Sequence, residues 1–393
     1  MSENQTLNKP ASPSAEEVGI GEARLRLENL AVALRRTIVG HDGVIDAALL
    51  ALASKEHMVM IGPPGTAKTF LVTTLAKLLN ARYYTYLMTT FTILDELAGP
   101  IDVLELTKGN LRRRWSAIVE ADIVFLDEIF KASSAILNSL LSFMQERVLY
   151  DPFTGTAMPV KAWTVFAASN ETPRDGEELQ ALYDRFAIKT FIRPIGSNAD
   201  LVRNALNAKW LNPPKAEPVA TMEDVRAIHE YATSLLQRED VLKLYLIHMV
   251  PMIEMARSKG VSISDRTELE KLPKLFAAYL ALHGVSEMAA AEAAYRLIDF
   301  MAREPAELAE IEKAKNEMLG ELAELQEKLE NAKKQYELMQ LQSALDMFRE
   351  IALLDVSKFE GKPWLAQRAQ ALVEEAQQYI AKIQEARARL KML

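Results

Sequence analysis

The segment 62–69 limits the possible folds of this chain more than any other segment does. It reads GPPGTAKT, directly follows the apolar run Met58–Ile61 and precedes a stretch of helical periodicity at 70–79. Glycines let backbone amides turn inward and approach an anion closely, and a helix N-terminus adds partial positive charge. A Lys-Thr pair supplies a point charge and a hydroxyl for Mg²⁺. The segment therefore predicts a strand, a phosphate-binding loop and a helix, in that order.

Each residue of this loop has an expected task in holding a nucleotide. Lys68 is expected to place its charge on the β- and γ-phosphates, and the Thr69 hydroxyl is a candidate Mg²⁺ ligand. The other residues predicted to surround the nucleotide are Gly62, Pro63, Pro64, Gly65, Thr66, Ala67 and Phe70. Ala67 stands where the P-loop pattern has its second glycine. A methyl group fits there without a clash if φ is negative.

Two carboxylates, Asp127 and Glu128, follow the apolar run 123–126. Ligands bind at the carboxyl ends of parallel strands, so Asp127 is expected to hold Mg²⁺ through water and Glu128 to act as the general base. Asn170 ends a later apolar run, where its amide would orient the attacking water. Arg185 precedes the last run, and its spacing leaves two roles open: a contact with phosphate or a local ion pair with the preceding aspartate.

Short apolar runs alternate with longer segments of helical periodicity between residues 57 and 191. The runs are 58–61, 83–87, 123–126, 164–168 and 188–191. Continuous apolar strands separated by helices are typical of a parallel sheet that is covered on both faces. The sequence therefore predicts a doubly wound α/β core, preceded by helices over 22–37 and 44–54.

The segments around this core have simpler patterns. Residues 1–17 are polar and predict a disordered tail, which sets the core at 18–194. Residues 195–302 show only helical periodicity, so we expect an all-helical domain there. Residues 303–393 carry two heptad seams with a break between them, which predicts a coiled-coil-like helical hairpin or a small bundle. Such an extension either decorates the surface or serves recruitment or oligomerisation.

Composition narrows the class of protein. The chain has 393 residues, with 46 Lys and Arg against 54 Asp and Glu and a net charge of −8. An acidic chain is a poor nucleic-acid binder in general, because that binding needs surplus cations. The absence of cysteine excludes disulfides, zinc fingers and thiol catalysis. No apolar run approaches the ~20 residues of a membrane span, and no signal peptide is evident, so we expect a soluble cytoplasmic protein.

Taken together, the motifs resemble those of AAA+ ATPases of the MoxR family, and most closely its RavA-like branch. The resemblance covers residues 20–290 and is carried by 38–41, 62–69, 125–132, 136–141, 167–171, 182–186 and 263–266. Ala67 is normal in this family. RavA-like proteins carry a β-rich partner-binding module within their C-terminal helices, and residues 303–393 show no strand-rich stretch of that size. A RavA-type partner is therefore not expected.

The resemblance implies an architecture and a set of roles. It implies an αβα core with a helical lid, assembled as a homo-oligomeric ring, usually a hexamer, that binds ATP and Mg²⁺. Asn170 would be sensor 1, Arg185 the arginine finger that reaches the neighbour's γ-phosphate, and Arg266 sensor 2 on the lid. Val39 and Gly40 would lie against the adenine ring.

Two inserts are also implied, the helix-2 insert at 91–115 and the pre-sensor-1 hairpin at 146–162. A turn at 109–110 predicts a short β-hairpin in the first insert, which also carries the densest basic run of the chain, 112–114. Residues 151–155 predict a second hairpin tip. In a ring such inserts either project toward the centre or merely space the subunits as solvated loops.

Three functions follow from these observations. The first is an ATP-driven remodelling or chaperone-like machine, for which the resemblance suggests protein clients such as those with von Willebrand factor A domains. The second is a nucleic-acid motor, supported by the basic run and Lys108 but disfavoured by the acidic composition. The third is a nucleotide-gated scaffold that hydrolyses ATP slowly, against which the intact Glu128 and Arg185 argue.

Overall fold

The computed structural model describes residues 15–173, 177–196, 199–211, 217–337, 340–359 and 363–391. The chain divides into two compact units, 1–234 and 235–393. Residues 1–14 of the predicted tail lie outside the described part, and the first helix begins at Ala15. The domain limits at 194/195 and 302/303 stay predictions.

The first unit is an α/β domain. Its helices are α1 (Ala15–Thr37), α2 (Asp42–Ser54), α3 (Lys68–Leu78), α4 (Leu94–Ala98), α5 (Val103–Thr107), α6 (Ser134–Glu146), α7 (Glu177–Tyr183), α8 (Ala199–Leu206) and α9 (Met222–Leu235), which crosses the boundary by one residue. Its strands are β1 (Met58–Ile61), β2 (Tyr83–Leu87), β3 (Ile123–Asp127), β4 (Val148–Asp151), β5 (Thr156–Pro159), β6 (Thr164–Ser169) and β7 (Ile188–Phe191).

Five of these strands form one parallel sheet in the order β2-β3-β6-β1-β7. They are the apolar runs of the sequence, and β1, β3 and β6 are buried almost along their full length, as expected when helices cover both faces. The predicted doubly wound α/β core is confirmed. Because β3, β6 and β1 are neighbours, the segments that follow them meet at one edge of the sheet.

The helix-2 insert differs from the prediction. Val103–Thr107 forms a helix instead of a strand, and a single antiparallel bridge joins Ile101 to Arg113. The side chain of Asp102 explains the difference, because it accepts hydrogen bonds from two backbone amides of the first helical turn, and such an N-cap favours a helix. The predicted β-hairpin is therefore wrong in this insert. The second hairpin is confirmed, since β4 and β5 pair antiparallel.

The second unit is helical. It contains α10 (Glu239–Ser258), α11 (Leu272–His283), α12 (Glu287–Leu297), α13 (Pro305–Leu319), α14 (Glu321–Glu337), α15 (Leu341–Ala352) and α16 (Pro363–Lys391). Helices α14–α16 pack on one another, so the extension is a small bundle. Gly320, with φ of +51°, separates α13 from α14 and interrupts the first heptad seam. Within the described residues, every helix is too short or too polar to cross a bilayer.

Charged side chains attach the C-terminal extension to α12 and to the 3₁₀ turn Ile298–Met301 that follows it. Arg368 of α16 pairs with Glu292 of α12. Nζ of Lys315, on α13, lies 2.6 and 2.7 Å from the two carboxylate oxygens of Asp299. Both cations also lie over the ring of Tyr295, at 4.1 Å for Lys315 and 5.0 Å for Arg368. The extension is therefore an integral part of the second unit.

Candidate functional site

The loop between β1 and α3 brings the first predicted residues to the carboxyl edge of the sheet. Helix α3 begins at Lys68, so its N-terminal amides and partial positive charge face the loop. Ala67 has φ of +60° and ψ of +18°, so the condition of a negative φ is not met. The alanine adopts the left-handed conformation of the glycine that it replaces, at a cost of about 1 kcal/mol or more.

Two glycines of the site are required by close packing. A Cβ on Gly62 would lie 2.3 Å from the carbonyl oxygen of Ile192, and the Gly62 amide donates to the carbonyl of Ser169 at 3.1 Å. A Cβ on Gly40, where φ is +83°, would lie 2.8 Å from Cγ2 of Ile195. The phosphate loop and the turn before α2 are therefore both held against the segment that follows β7.

The ammonium group of Lys68 is folded back onto the loop. Its Nζ donates to the carbonyl oxygens of Gly62 at 2.6 Å and Pro63 at 3.0 Å, and to Oδ1 of Asn170 at 3.3 Å. Burial lowers the pKa of Lys68, against the opposing charges of the two carboxylates after β3. A buried cation with mainly neutral partners is a favourable place for a phosphate to bind.

The carboxylates Asp127 and Glu128 occupy the end of β3 and the turn that follows it. Oδ2 of Asp127 accepts a hydrogen bond from the Thr69 hydroxyl at 3.2 Å, which places the two predicted Mg²⁺ ligands side by side. Glu128 has φ of +53° and ψ of +41°, a left-handed conformation that is strained for a residue with a side chain. Its Oε1 accepts a hydrogen bond from Nδ2 of Asn170. Lys68, Asn170 and Glu128 therefore form a continuous network.

These side chains line a cavity of about 970 Å³ in the first unit. The predicted residues on its wall are Val39, Pro64, Gly65, Thr66, Ala67, Lys68, Thr69, Phe70, Asp127, Glu128 and Asn170. Gly40, Gly62 and Pro63 lie next to this wall in the chain. The volume is in the range of pockets that enclose small-molecule ligands, about 300–1,000 Å³.

The cavity also has wall residues that were not predicted to contact the nucleotide. They are Thr37, Ile38, His41, Pro194, Ile195, Ala205, Ala208 and Lys209. The position of residues 194–195 at the cavity follows from the pairing of β7 with β1, because this pairing brings the end of β7 beside the phosphate loop. The residues from α8 and the following π-helical turn, Asn207–Leu211, carry no such signal. Burial lowers the pKa of His41, against the charge of Asp42, and so favours its neutral imidazole.

Two predicted residues are not among the residues of this wall. Arg185 is half-buried in the turn between α7 and β7, and its amide donates to the carbonyl of Leu182 at 3.0 Å. Arg266 belongs to the second unit, where it is exposed and its Nε donates to Glu270 at 3.2 Å. The roles that the resemblance implies for both stay predictions.

The residues present fit a nucleoside triphosphate with Mg²⁺. The buried ammonium of Lys68 and the N-terminus of α3 suit phosphate oxygens. The hydroxyl of Thr69 and the carboxylate of Asp127 are the oxygen ligands that Mg²⁺ prefers. Together with the sheet topology, they define the chain as a P-loop protein of the α/β class.

Comparisons with known proteins agree with this class. A family model described as the MoxR domain in the MoxR-vWA-beta-propeller ternary systems matches residues 25–250. An uncharacterized protein of Methanocaldococcus jannaschii is 34% identical over 246 residues, which are 61% of this chain and 62% of that protein. Chaperone MoxR1 of Mycobacterium tuberculosis is 25% identical over 227 residues, which are 57% of this chain and 58% of that one.

A solved structure shares the fold. The crystal structure of a proposed ATPase from Cytophaga hutchinsonii superposes with a TM-score of 0.56 at 19% identity, covering 71% of this chain and 87% of that one. Because the family model matches more than half of the sequence, the chain belongs to the MoxR family of AAA+ ATPases.

Proposed function

We propose that this chain hydrolyses ATP with Mg²⁺ in a homo-oligomeric ring, and that hydrolysis drives the remodelling of protein clients. The observation that supports hydrolysis most directly is the network of Lys68, Asn170 and Glu128 on the cavity wall. It joins the cation that would bind the phosphates to the carboxylate that would accept a proton. Membership of the MoxR family supports the same chemistry.

Each side chain has a distinct task in this reaction. The loop amides and Lys68 bind the phosphates and stabilise their negative charge. Thr69 and Asp127 hold Mg²⁺, which when bound neutralises charge on the phosphate oxygens. Glu128 accepts the proton of the attacking water, and Asn170 orients the carboxylate that does so.

Turnover of ATP by the purified chain with Mg²⁺ tests the proposal. Lys68→Ala should abolish tight ATP binding, whereas Lys77→Ala, at an exposed position of the same helix, should not. Glu128→Gln should keep ATP binding and lower kcat by about 10²–10⁴-fold. A kcat unchanged by Glu128→Gln would favour a nucleotide-gated scaffold. No Mg²⁺-dependent hydrolysis under any assembly condition would contradict a motor.

We further propose that the client is a protein with a von Willebrand factor A domain, since the family model is named for systems that contain one. The inserts offer a surface for it: Phe91, Leu104 and Phe153 are 87%, 73% and 64% exposed. Large apolar side chains exposed in one region are typical of interaction sites. Phe91→Ser combined with Leu104→Ser should weaken binding of a purified domain of this kind, whereas Leu353→Ser, at an 82% exposed position of the second unit, should not.

A further inference from the structure

The side chain of Lys131 contacts Glu128 from outside the cavity. Its Nζ lies 3.4 Å from Oε2 of Glu128, and Glu128 lines the cavity whereas Lys131 is not part of its wall. The backbone produces this contact. The left-handed conformation of Glu128 leads into the 3₁₀ turn Ile129–Lys131, in which the Lys131 amide donates to the Glu128 carbonyl at 2.9 Å. Side chains three residues apart in such a turn lie on one face.

The two carboxylate oxygens of Glu128 are therefore held by different donors. Oε1 accepts from Nδ2 of Asn170, and Oε2 pairs with Nζ of Lys131. A carboxylate has about four acceptor positions. One donor on each oxygen fixes the plane of the group and still leaves lone pairs for a water molecule. Without such contacts, a glutamate side chain samples several rotamers.

The two contacts depend on different parts of the site. Oδ1 of Asn170 accepts a hydrogen bond from Lys68, so the contact of Asn170 with Glu128 is linked to the phosphate loop. Lys131 approaches from the solvent side, with 58% of its side chain exposed, and its contact is set by the turn alone. A substitution of Lys131 therefore removes one constraint on the carboxylate and leaves the loop intact.

We propose that Lys131 is a positioning residue for ATP hydrolysis, which acts through Glu128 by aligning its carboxylate with the attacking water. This inference rests on the proposed function, in which Glu128 is the general base. Lys131→Met should lower kcat by about 10–10²-fold, because a 1 Å misplacement of a catalytic group can cost about 10²-fold. KM for ATP should be unchanged. Lys131→Arg retains the cation and should keep kcat within about twofold of the wild type.

A double-mutant cycle tests whether Lys131 acts through Glu128. In the Glu128→Gln background, Lys131→Met should have no further effect on the residual rate, since residues that act as a unit are not additive. The matched control is Lys243→Met, which breaks an exposed pair with Glu239 at 2.9 Å and should leave kcat unchanged. Equal losses in both backgrounds, or a raised KM, would overturn the inference. If the wild type hydrolyses ATP and Lys131→Met has the same kcat, only this inference fails. If the wild type does not hydrolyse ATP, the proposed function fails as well.

Discussion

The guanidinium of Arg113 forms a bidentate pair with the carboxylate of Asp151, with Nε 3.0 Å from Oδ2 and Nη2 3.1 Å from Oδ1. Both side chains are buried, with 1% and 0% of their surfaces exposed. Nη1 of Arg113 also donates to Asp95 at 2.6 Å and to the carbonyl of Gly99. One buried arginine therefore ties the helix-2 insert to the β4–β5 hairpin, so the two inserts form a single block.

Replacement of Arg113 should destabilise this block. Arg113→Met leaves the carboxylate of Asp151 buried without its partner, and the free energy of unfolding should fall by about 3–5 kcal/mol. Urea denaturation measures this loss. Arg112→Met, at the exposed neighbouring position, should change it by only about 0.5 kcal/mol. Similar losses at both positions would show that the buried pair has no special importance. The double variant Arg113→Met/Asp151→Leu should recover part of the loss, because it removes both charges.

The same pair should make stability depend on acid pH. Burial by itself would raise the pKa of Asp151, but hydrogen bonds from Arg113, the Phe153 amide and the Thr154 hydroxyl outweigh it and lower the pKa to about 2. This pKa lies below that of an aspartate in the unfolded chain, about 3.9. The stabilisation is therefore complete above about pH 4 and is lost as the pH falls toward 2. The Tm values of the wild type and Asp151→Asn should differ at pH 6 and converge near pH 2; a constant difference would contradict this origin.

The sheet could be predicted from the sequence because its strands are short apolar runs whose burial is a local property. The basic run 112–114 could not be interpreted in the same way. Its middle residue is neutralised by Asp95 and Asp151, which are distant in the chain and meet it only in the folded protein. The same burial weakens the alternative of a nucleic-acid motor, since only Arg112 and Arg114 of this run remain exposed.

The candidate site shows a similar division. Lys68, Asp127 and Asn170 were predictable because each lies at or after the carboxyl end of a strand, and these ends share one edge of the sheet. The left-handed backbone at Ala67 was not, since an alanine by itself favours negative φ. The contact of Lys131 with Glu128 also escaped prediction, because it depends on the strained turn after β3.

Substitutions in the phosphate loop should separate steric conflict from backbone strain. Gly62→Ala places a Cβ 2.3 Å from the carbonyl of Ile192 and should abolish nucleotide binding. Gly65 has φ of +82° but open space around it, so Gly65→Ala should lower the free energy of unfolding by only about 1 kcal/mol. Ala67→Gly relieves strain and adds freedom to the unfolded chain, so stability should change by less than about 1 kcal/mol. Thermal unfolding and nucleotide titration measure these effects, and equal results for Gly62→Ala and Gly65→Ala would contradict the packing argument.

The attachment of the C-terminal bundle should depend on Lys315. Burial raises the pKa of the Asp299 carboxyl, whereas the ammonium of Lys315, 2.6 Å from its Oδ1, opposes this rise. Lys315→Met should therefore destabilise the second unit by about 3 kcal/mol. Lys313→Met, at an exposed position of the same helix, is the matched control and should change stability by less than about 0.5 kcal/mol. Chemical denaturation of the full chain distinguishes the two variants, and equal midpoints would show that apolar packing alone attaches the bundle.

The proposed ring makes a prediction about mixed assemblies. Arg185 is not on the cavity wall of its own chain, a position compatible with an arginine finger that serves a neighbour. Arg185→Ala should then keep ATP binding and lower kcat by about 10³–10⁵-fold. Glu128→Gln should be slow for a different reason, since it lacks the proposed base. When the two variants are mixed, an Arg185→Ala subunit supplies an intact base and its Glu128→Gln neighbour supplies an intact finger, so part of the activity should return. Activity that stays at the level of the separate variants, although light scattering shows mixed oligomers, would mean that Arg185 acts within its own chain or has a purely structural role.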